Sequence, residues 1–338
     1  MEFSSMRLPK TLLTAMLSAI ILACGLAPSA QAAEDAGVRV LSWNILHGGR
    51  EPTPANLPQL IDQIVDVRPD VFFAVETYGS GDAITDALNR RANNGRYTGI
   101  RVTDRPSGSD NLWIFTRYEV VATYPKPQGG TVTDFNLGGV RVRLPKGGEL
   151  NLFSAWLPYT DPWNGYLMDE NAVDRQAGRP PRHSVEDVVA ADRAQTQAIT
   201  EIVNDQLPRM LGTNRAPVLL GGDFNTAAAA DWTPAQANCP NHFGMSYPLR
   251  ATAAVTAAGF VDTYRFAQPN VCAAPGTTWS PLPTEKMVTP QRIDFIFARG
   301  PLGIRSSRVI DQRMPAHGPG VFYSDHAAVV TEVRPLGR

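Results

Sequence analysis

The fold turns on Ala216-Pro217-Val218-Leu219-Leu220-Gly221-Gly222-Asp223-Phe224-Asn225-Thr226. Val218 to Leu220 is a short apolar run between a proline and two glycines, the pattern of a strand buried on both faces at the centre of an α/β sheet. The glycines allow a sharp turn or a close backbone approach where the strand ends. Beyond them stand a carboxylate and a carboxamide two residues apart. In an extended chain such residues share a side, so Asp223 and Asn225 face one spot while Phe224 turns into packing. An acceptor-only group beside a group that both donates and accepts suits a phosphate and its attacking water. The same residues also fit a strand end closed by an Asx turn, with both side chains bonded to local backbone.

Outward from this stretch, composition sets the bounds. The chain has 338 residues. Its first 32 read as a secretory signal peptide: basic Arg7 and Lys10, an apolar Leu12 to Leu26, then Ala30-Gln31-Ala32 for cleavage. Lipid attachment at Cys24 is the minor alternative. Residues 33–338 form a single domain, exported or periplasmic, with no further span across a membrane. The full chain has 31 basic and 32 acidic side chains; without Arg7, Lys10 and Glu2 these become 29 and 31, a balance of −2. That is no electrostatic footprint for tight non-specific nucleic-acid binding. Cys239 and Cys272 remain after cleavage, and export favours a disulfide between them, worth about 2–4 kcal/mol. No Cys-x-x-Cys and no histidine cluster speaks for structural zinc.

Taken in order, strands are expected at Val38 to Asn44, Val71 to Glu76, Asn111 to Thr116 and Val120 to Tyr124. A hairpin follows, Gly139 to Leu144 with Leu150 to Leu157, then strands at Arg292 to Ala298 and Ala327 to Val333. On the Arg292 strand, Ile293, Phe295 and Phe297 share one face and Asp294 the other. Helices are expected at Asn56 to Val67, Asp82 to Asn94, Val185 to Leu207 and Leu249 to Ala258. Pro158 to Arg182 reads as a long polar loop bearing Tyr159, Trp163 and Tyr166, which together with Trp279 offer rings for a substrate or, equally, anchors for the core and loops. Irregular alternation with hairpins points to mixed sheets.

Polar residues recur where apolar strands end: Asn44, Glu76, Asp223, Asn225 and Asp294, with Ser324-Asp325-His326 ahead of the last strand. One such end is an accident, whereas a series argues for one shared site on one rim. Oxygen ligands from few carboxylates suit Mg²⁺ or Mn²⁺. As an ordered set, Ser42-Trp43-Asn44, Val75-Glu76-Thr77, Gly222-Asp223-Phe224-Asn225, Arg292-Ile293-Asp294-Phe295-Ile296 and Ser324-Asp325-His326 resemble the endonuclease/exonuclease/phosphatase superfamily. The resemblance implies a four-layer α/β sandwich, two mixed β-sheets face to face with helices outside. It implies Glu76 as main metal ligand supported by Asn44, Asp223 orienting or deprotonating water, and Asn225 holding the phosphate. Asp294 would assist, and His326, oriented by Asp325, would contact the scissile phosphate. Trp156 departs from the pattern, for relatives carry His or Tyr there, and an indole N–H donates without shuttling a proton.

The expected activity is metal-dependent hydrolysis of a phosphate mono- or diester of a small or lipid-linked substrate by a monomeric protein. Its partner is that phosphate ester. A secreted nuclease is the alternative, with nucleic acid the less favoured substrate. A catalytically silent binding protein, suggested only by Trp156, is the second. Asp231-Trp232-Thr233, Gly259 to Arg265 and Gly276 to Ser280 resemble a group of secreted bacterial members of the superfamily.

Overall fold

The apolar run around Leu219 folds as the centre of a sheet, in a computed structural model that describes residues 37–51, 53 and 55–336. The expected signal peptide, its cleavage site and Cys24 lie outside the described residues.

Twelve strands form among the described residues: β1 (Val38–Asn44), β2 (Val71–Val75), β3 (Thr98–Arg101), β4 (Trp113–Thr116), β5 (Glu119–Thr123), β6 (Leu137–Arg143), β7 (Glu149–Trp156), β8 (Val218–Asp223), β9 (Val261–Asp262), β10 (Asp294–Arg299), β11 (Leu302–Ile310) and β12 (Ala328–Pro335). They make two six-stranded sheets, ordered β11-β12-β1-β2-β4-β3 and β5-β6-β7-β8-β10-β9. Each sheet holds one parallel pair, β1 with β2 and β7 with β8, among antiparallel neighbours. Both sheets are therefore mixed, as the hairpin signals require.

Alternation along the strands explains the layers. Val40 of β1, Phe73 of β2, Leu152 of β7, Leu219 of β8 and Ile296 of β10 meet in one cluster between the sheets. Their neighbours point outward: Leu41, Trp43 and Phe72 pack against Leu60, Ile61 and Ile64 of the helix Asn56–Val67. On the other side Leu220, Phe295 and Phe297 pack against Ile199, Ile202 and Val255. Two glycines let the layers close. A Cβ on Gly221 would lie 2.4 Å from the Phe73 ring, and one on Gly222 (φ 146°) would lie 1.8 Å from the Ala155 carbonyl oxygen. No other residue fits at either position without moving backbone or core.

Two expectations need correction, and the strands β3, β9 and β11 were not among those expected. The segment 158–182 is not one loop, for it contains the helix Asn164–Gln176. The buried face of that helix mixes Leu167, Met168 and Ala172 with Asn164, Asn171 and Asp174, which breaks the apolar period. Polar partners take the place of apolar packing: the Asn171 amide donates to the His183 carbonyl, and Asp174 accepts from Arg179 and Arg182. The helix expected over Val185 to Leu207 breaks at Asp192 into Val185–Ala191 and Arg193–Glu201, continues as a π turn over Ile202–Gln206 and ends as Leu207–Leu211. At the break the Asp192 backbone leaves helical geometry (φ −86°, ψ 3°), and its buried carboxylate accepts from the Thr226 hydroxyl and from the Arg250 and Ala251 amides. Of the unforeseen strands, β11 is an edge strand with a register shift between Ile304 and Ser306 and with exposed Arg305, so its apolar alternation is weak.

Cys239 and Cys272 are joined as a disulfide, tying the loop beyond β8 to the segment after the short helix Thr263–Ala267.

Candidate active site

Register brings the polar strand ends together. In the second sheet Trp156, Asp223 and Asp294 form one row, since Asp223 faces Trp156 across the parallel ladder and Asp294 across the antiparallel one. In the first sheet Asn44 faces Val75, which places Glu76 immediately beyond. β12 lies against β1, so the turn Ser324-Asp325-His326 falls beside the end of β1. Two hydrogen bonds hold it there: the Trp43 indole N–H donates to the His326 carbonyl at 2.8 Å, and the Ser324 hydroxyl donates to the Asn44 carbonyl at 2.8 Å.

Asn44 bridges the sheets. Its Nδ2 donates to Glu76 Oε1 at 3.0 Å and to Asp223 Oδ2 at 3.1 Å, while its Oδ1 accepts from the Leu46 N–H at 3.1 Å. Glu76 is half-buried. Its own N–H donates to Asn111 Oδ1 at 2.8 Å, and its Oε2 accepts from the His47 N–H at 3.3 Å. Asn111 was not foreseen as a supporting residue, for it precedes an apolar strand, whereas the polar residues singled out close theirs. Burial, reinforced by the Glu76 carboxylate, pushes the neighbouring Tyr78 phenol up to about 12, so it stays protonated.

The backbone here is unusual. Among the described residues eight non-glycines have positive φ, and five of them lie at this rim: Leu46, His47, Glu76, Tyr78 and Asn225. Each costs on the order of 1–2 kcal/mol, a cost that persists only where surroundings over-determine the conformation, as they do at functional sites.

On the other flank, Asp223 and Asp294 are each 1% exposed and His326 is 5% exposed. His326 Nδ1 lies 2.8 Å from Asp294 Oδ2, and its Nε2 lies 3.8 Å from Asp223 Oδ2. The carboxylate that orients His326 is therefore Asp294, which corrects the expectation for Asp325. Asp325 is half-buried and its Oδ1 accepts from the Ser324 hydroxyl at 3.3 Å. Adjacent residues diverge as the chain enters β12, whereas Asp294 arrives from a neighbouring element. Burial raises the Asp223 carboxyl well above the usual carboxylate range, with repulsion from Asp294 adding and His326 opposing. Burial disfavours a charged His326, but Asp294, Asp223 and Asp325 outweigh it and raise its pKa well above that of a free imidazole.

The Asx-turn reading of Asp223 holds, whereas the Asn225 side chain bonds a distant carbonyl and not local backbone. The Asn225 N–H donates to Asp223 Oδ1 at 2.8 Å, an Asx turn, while Asp223 Oδ2 is turned to Asn44 and His326. Phe224 packs on Phe295 and Phe297 as expected. One N–H of the Asn225 amide donates to the Leu157 carbonyl at 2.9 Å. Trp156 stands edge-on to Phe135, with its indole N–H buried and without a hydrogen-bond partner among the described residues.

The rings divide. Trp163 is 2% exposed and its N–H donates to the Asn225 carbonyl at 2.8 Å, so it anchors the site from behind and presents no face to a substrate. Tyr166 and Trp279 pack edge-on to it and to one another, with Tyr166 partly open and Tyr159 more so. Further back, buried Asp231 accepts from Arg265 and Arg292, and Arg292 also donates to Asp262 at 2.7 Å, which secures the entry to β10.

A hard divalent cation fits the oxygen donors at this rim, where Glu76 presents a half-exposed carboxylate 3.0 Å from the Asn44 amide. Asp223, Asp294 and His326 also offer atoms within 4.8 Å of one another, but a protonated His326 bonded to Asp294 is not free to ligate a cation.

Residues 41–326 match the model of the Endonuclease/Exonuclease/phosphatase family, a span that begins in β1 and ends at His326. An uncharacterised protein of Caenorhabditis elegans is 26% identical over 336 residues, covering 95% of this chain and 99% of its own. Among solved structures, an endonuclease/exonuclease/phosphatase from Bacteroides vulgatus is 14% identical with a TM-score of 0.56, covering 89% of this chain and 100% of that one. The catalytic domain of human Nocturnin, solved with bound sulfate, is 14% identical with a TM-score of 0.55, covering 88% and 94%. At these identities the structures are similar in fold.

Proposed function

Because the chain belongs to the endonuclease/exonuclease/phosphatase family, we propose that it is an exported, divalent-metal-dependent phosphoester hydrolase that cleaves a small or lipid-linked phosphate ester by in-line attack of water. The observation that carries this reading is the position of Asp223, 3.1 Å from the Asn44 amide and 3.8 Å from the His326 imidazole, with Glu76 on the far side of Asn44.

Glu76, with Asn44 beside it, would hold Mg²⁺ or Mn²⁺, whose charge offsets that of the phosphate. Asp223 Oδ2 orients the attacking water and takes its proton, and its raised pKa suits that task near neutral pH. His326, protonated and fixed by Asp294, donates a charge-assisted hydrogen bond to a phosphoryl oxygen. An amide N–H₂ has two donors, so Asn225 retains one for a second phosphoryl oxygen after bonding Leu157. The Trp156 N–H, buried and without a partner among the described residues, serves a third once the ring shifts to meet substrate. The other groups are in place before substrate arrives, so positioning and charge neutralisation supply the rate.

The test is release of phosphate or alcohol from a panel of mono- and diesters, with and without EDTA. Turnover of at least one ester that stops in EDTA and returns with Mn²⁺ supports the reading. Turnover confined to DNA or RNA would replace it with the nuclease alternative, and no turnover on any ester would leave a binding protein.

A further inference from the structure

β9 has only two residues and pairs with Phe297 and Ala298, so it does not reach the start of β10. The Ile293 and Asp294 amides would be left there without a strand partner, in a fully buried place. Thr278 takes them. Its Oγ1 accepts from the Ile293 N–H at 2.9 Å and from the Asp294 N–H at 3.1 Å, using both lone pairs of the hydroxyl oxygen. The backbone of the same residue holds two more segments. The Thr278 N–H donates to the Gln291 carbonyl at 3.0 Å, and its carbonyl accepts from the Ala327 N–H at 2.7 Å. Thr278 is 0% exposed, and its neighbour Trp279 bridges to both Gln291 and His326.

One residue thus touches the backbone on both sides of the Asp294–His326 contact: Asp294 through its side chain, and Ala327, next to His326, through its carbonyl. We infer that Thr278 is the positioning residue of the Asp294–His326 pair, its hydroxyl setting where the Asp294 carboxylate stands against His326 Nδ1. The consequence for turnover rests on the hydrolase reading above. The consequence for the pair does not.

The experiment uses the full chain in three forms, wild type, Thr278→Ser and Thr278→Val, with bis(p-nitrophenyl) phosphate and Mn²⁺ as probe. Valine keeps the shape and removes the oxygen, whereas serine keeps the oxygen. Thr278→Val should lower kcat about 10- to 100-fold with KM little changed, the scale of a small misplacement of a reacting group. Thr278→Ser should keep most of the rate. The downfield N–H proton resonance of the His326–Asp294 hydrogen bond should persist in wild type and Ser and vanish in Val. Equal rates in folded Val and wild type, or a Ser variant as slow as Val, would overturn the inference. Should Val not fold, amide exchange in the wild type decides: fast exchange at Ile293 and Asp294 overturns it, and protection supports it. A wild type inactive on this ester would count against the hydrolase reading alone, because the resonance and the exchange require no turnover.

Discussion

The two flanks of the site are built differently. On the first sheet, Glu76 is half-open to solvent and hangs from a strained backbone, with Leu46, His47, Glu76 and Tyr78 all at positive φ. On the other flank, Asp223 and Asp294 of the second sheet and His326, from the turn before β12 of the first, are buried on regular or near-regular backbone and held by direct side-chain contacts. The contrast fits two tasks. A cation must enter and leave through water, so its ligand needs access and accepts strain in exchange for direction. Groups that hold and move a proton need fixed pKa values, which burial and neighbouring charges supply. Asn44, donating to a carboxylate on each flank, joins the two.

The comparison breaks if both flanks respond alike to mutation. The largest loss should come from the buried flank: His326→Gln is expected to lower kcat by about 10²–10⁴-fold with no change in the Mn²⁺ concentration that half-activates the enzyme. Glu76→Gln should cost about 10²–10³-fold in rate and shift that metal requirement upward. Metal titrations of both variants, followed by turnover, separate the two effects. The same shift in both would erase the division of labour.

A smaller effect is expected at the rim. If the Trp156 N–H meets a phosphoryl oxygen, Trp156→Phe removes a charge-assisted hydrogen bond of about 1.5–3 kcal/mol and slows turnover roughly 10- to 100-fold. Its melting temperature should hold, since Phe keeps the packing on Phe135. Unchanged turnover would mark Trp156 as a packing residue only.

The smallest effect on turnover should fall behind the buried flank, at Asp231→Asn. Burial alone would push the Asp231 carboxyl up, but Arg292 and Arg265 outweigh it and hold it below the usual range. A carboxyl depressed in the folded state adds stability above its unfolded pKa of about 4 and loses it as pH falls through the folded value. The variant should therefore melt below wild type at neutral pH, and the gap should narrow below about pH 4. A gap constant across pH would show that the charge of Asp231 contributes nothing.

Much of this site was legible in the chain because strand ends are local. Asn44, Glu76, Asp223 and Asp294 were visible as polar residues closing apolar runs, and period-two alternation placed Asp294 opposite Phe295 and Phe297. The helix Asn164–Gln176 was not legible, because Asn171 and Asp174 on its buried face take polar partners from elsewhere in the fold. Asn111 and Thr278 escaped for a related reason: their importance lies in which backbone amides they meet, at Glu76 and at Asp294, and a hydroxyl or carboxamide alone does not announce its partner.

By itself the sequence determined the mixed α/β architecture and the polar residues at the strand ends, since each follows from residue type and short-range period, and the two cysteines beyond Cys24 left one pairing to expect. Tertiary structure alone decided who meets whom. His326 has Asp325 next to it in the chain, yet the carboxylate at its Nδ1 is Asp294. Trp163 was open as a substrate ring or a core anchor, and the fold makes it the anchor, buried behind Asn225. The reason is geometric: successive residues along an extended chain point apart, so the neighbours that tune a charge or cover a ring come from other elements, here Asp294 on the opposite sheet from His326, and the packing of the layers chooses them.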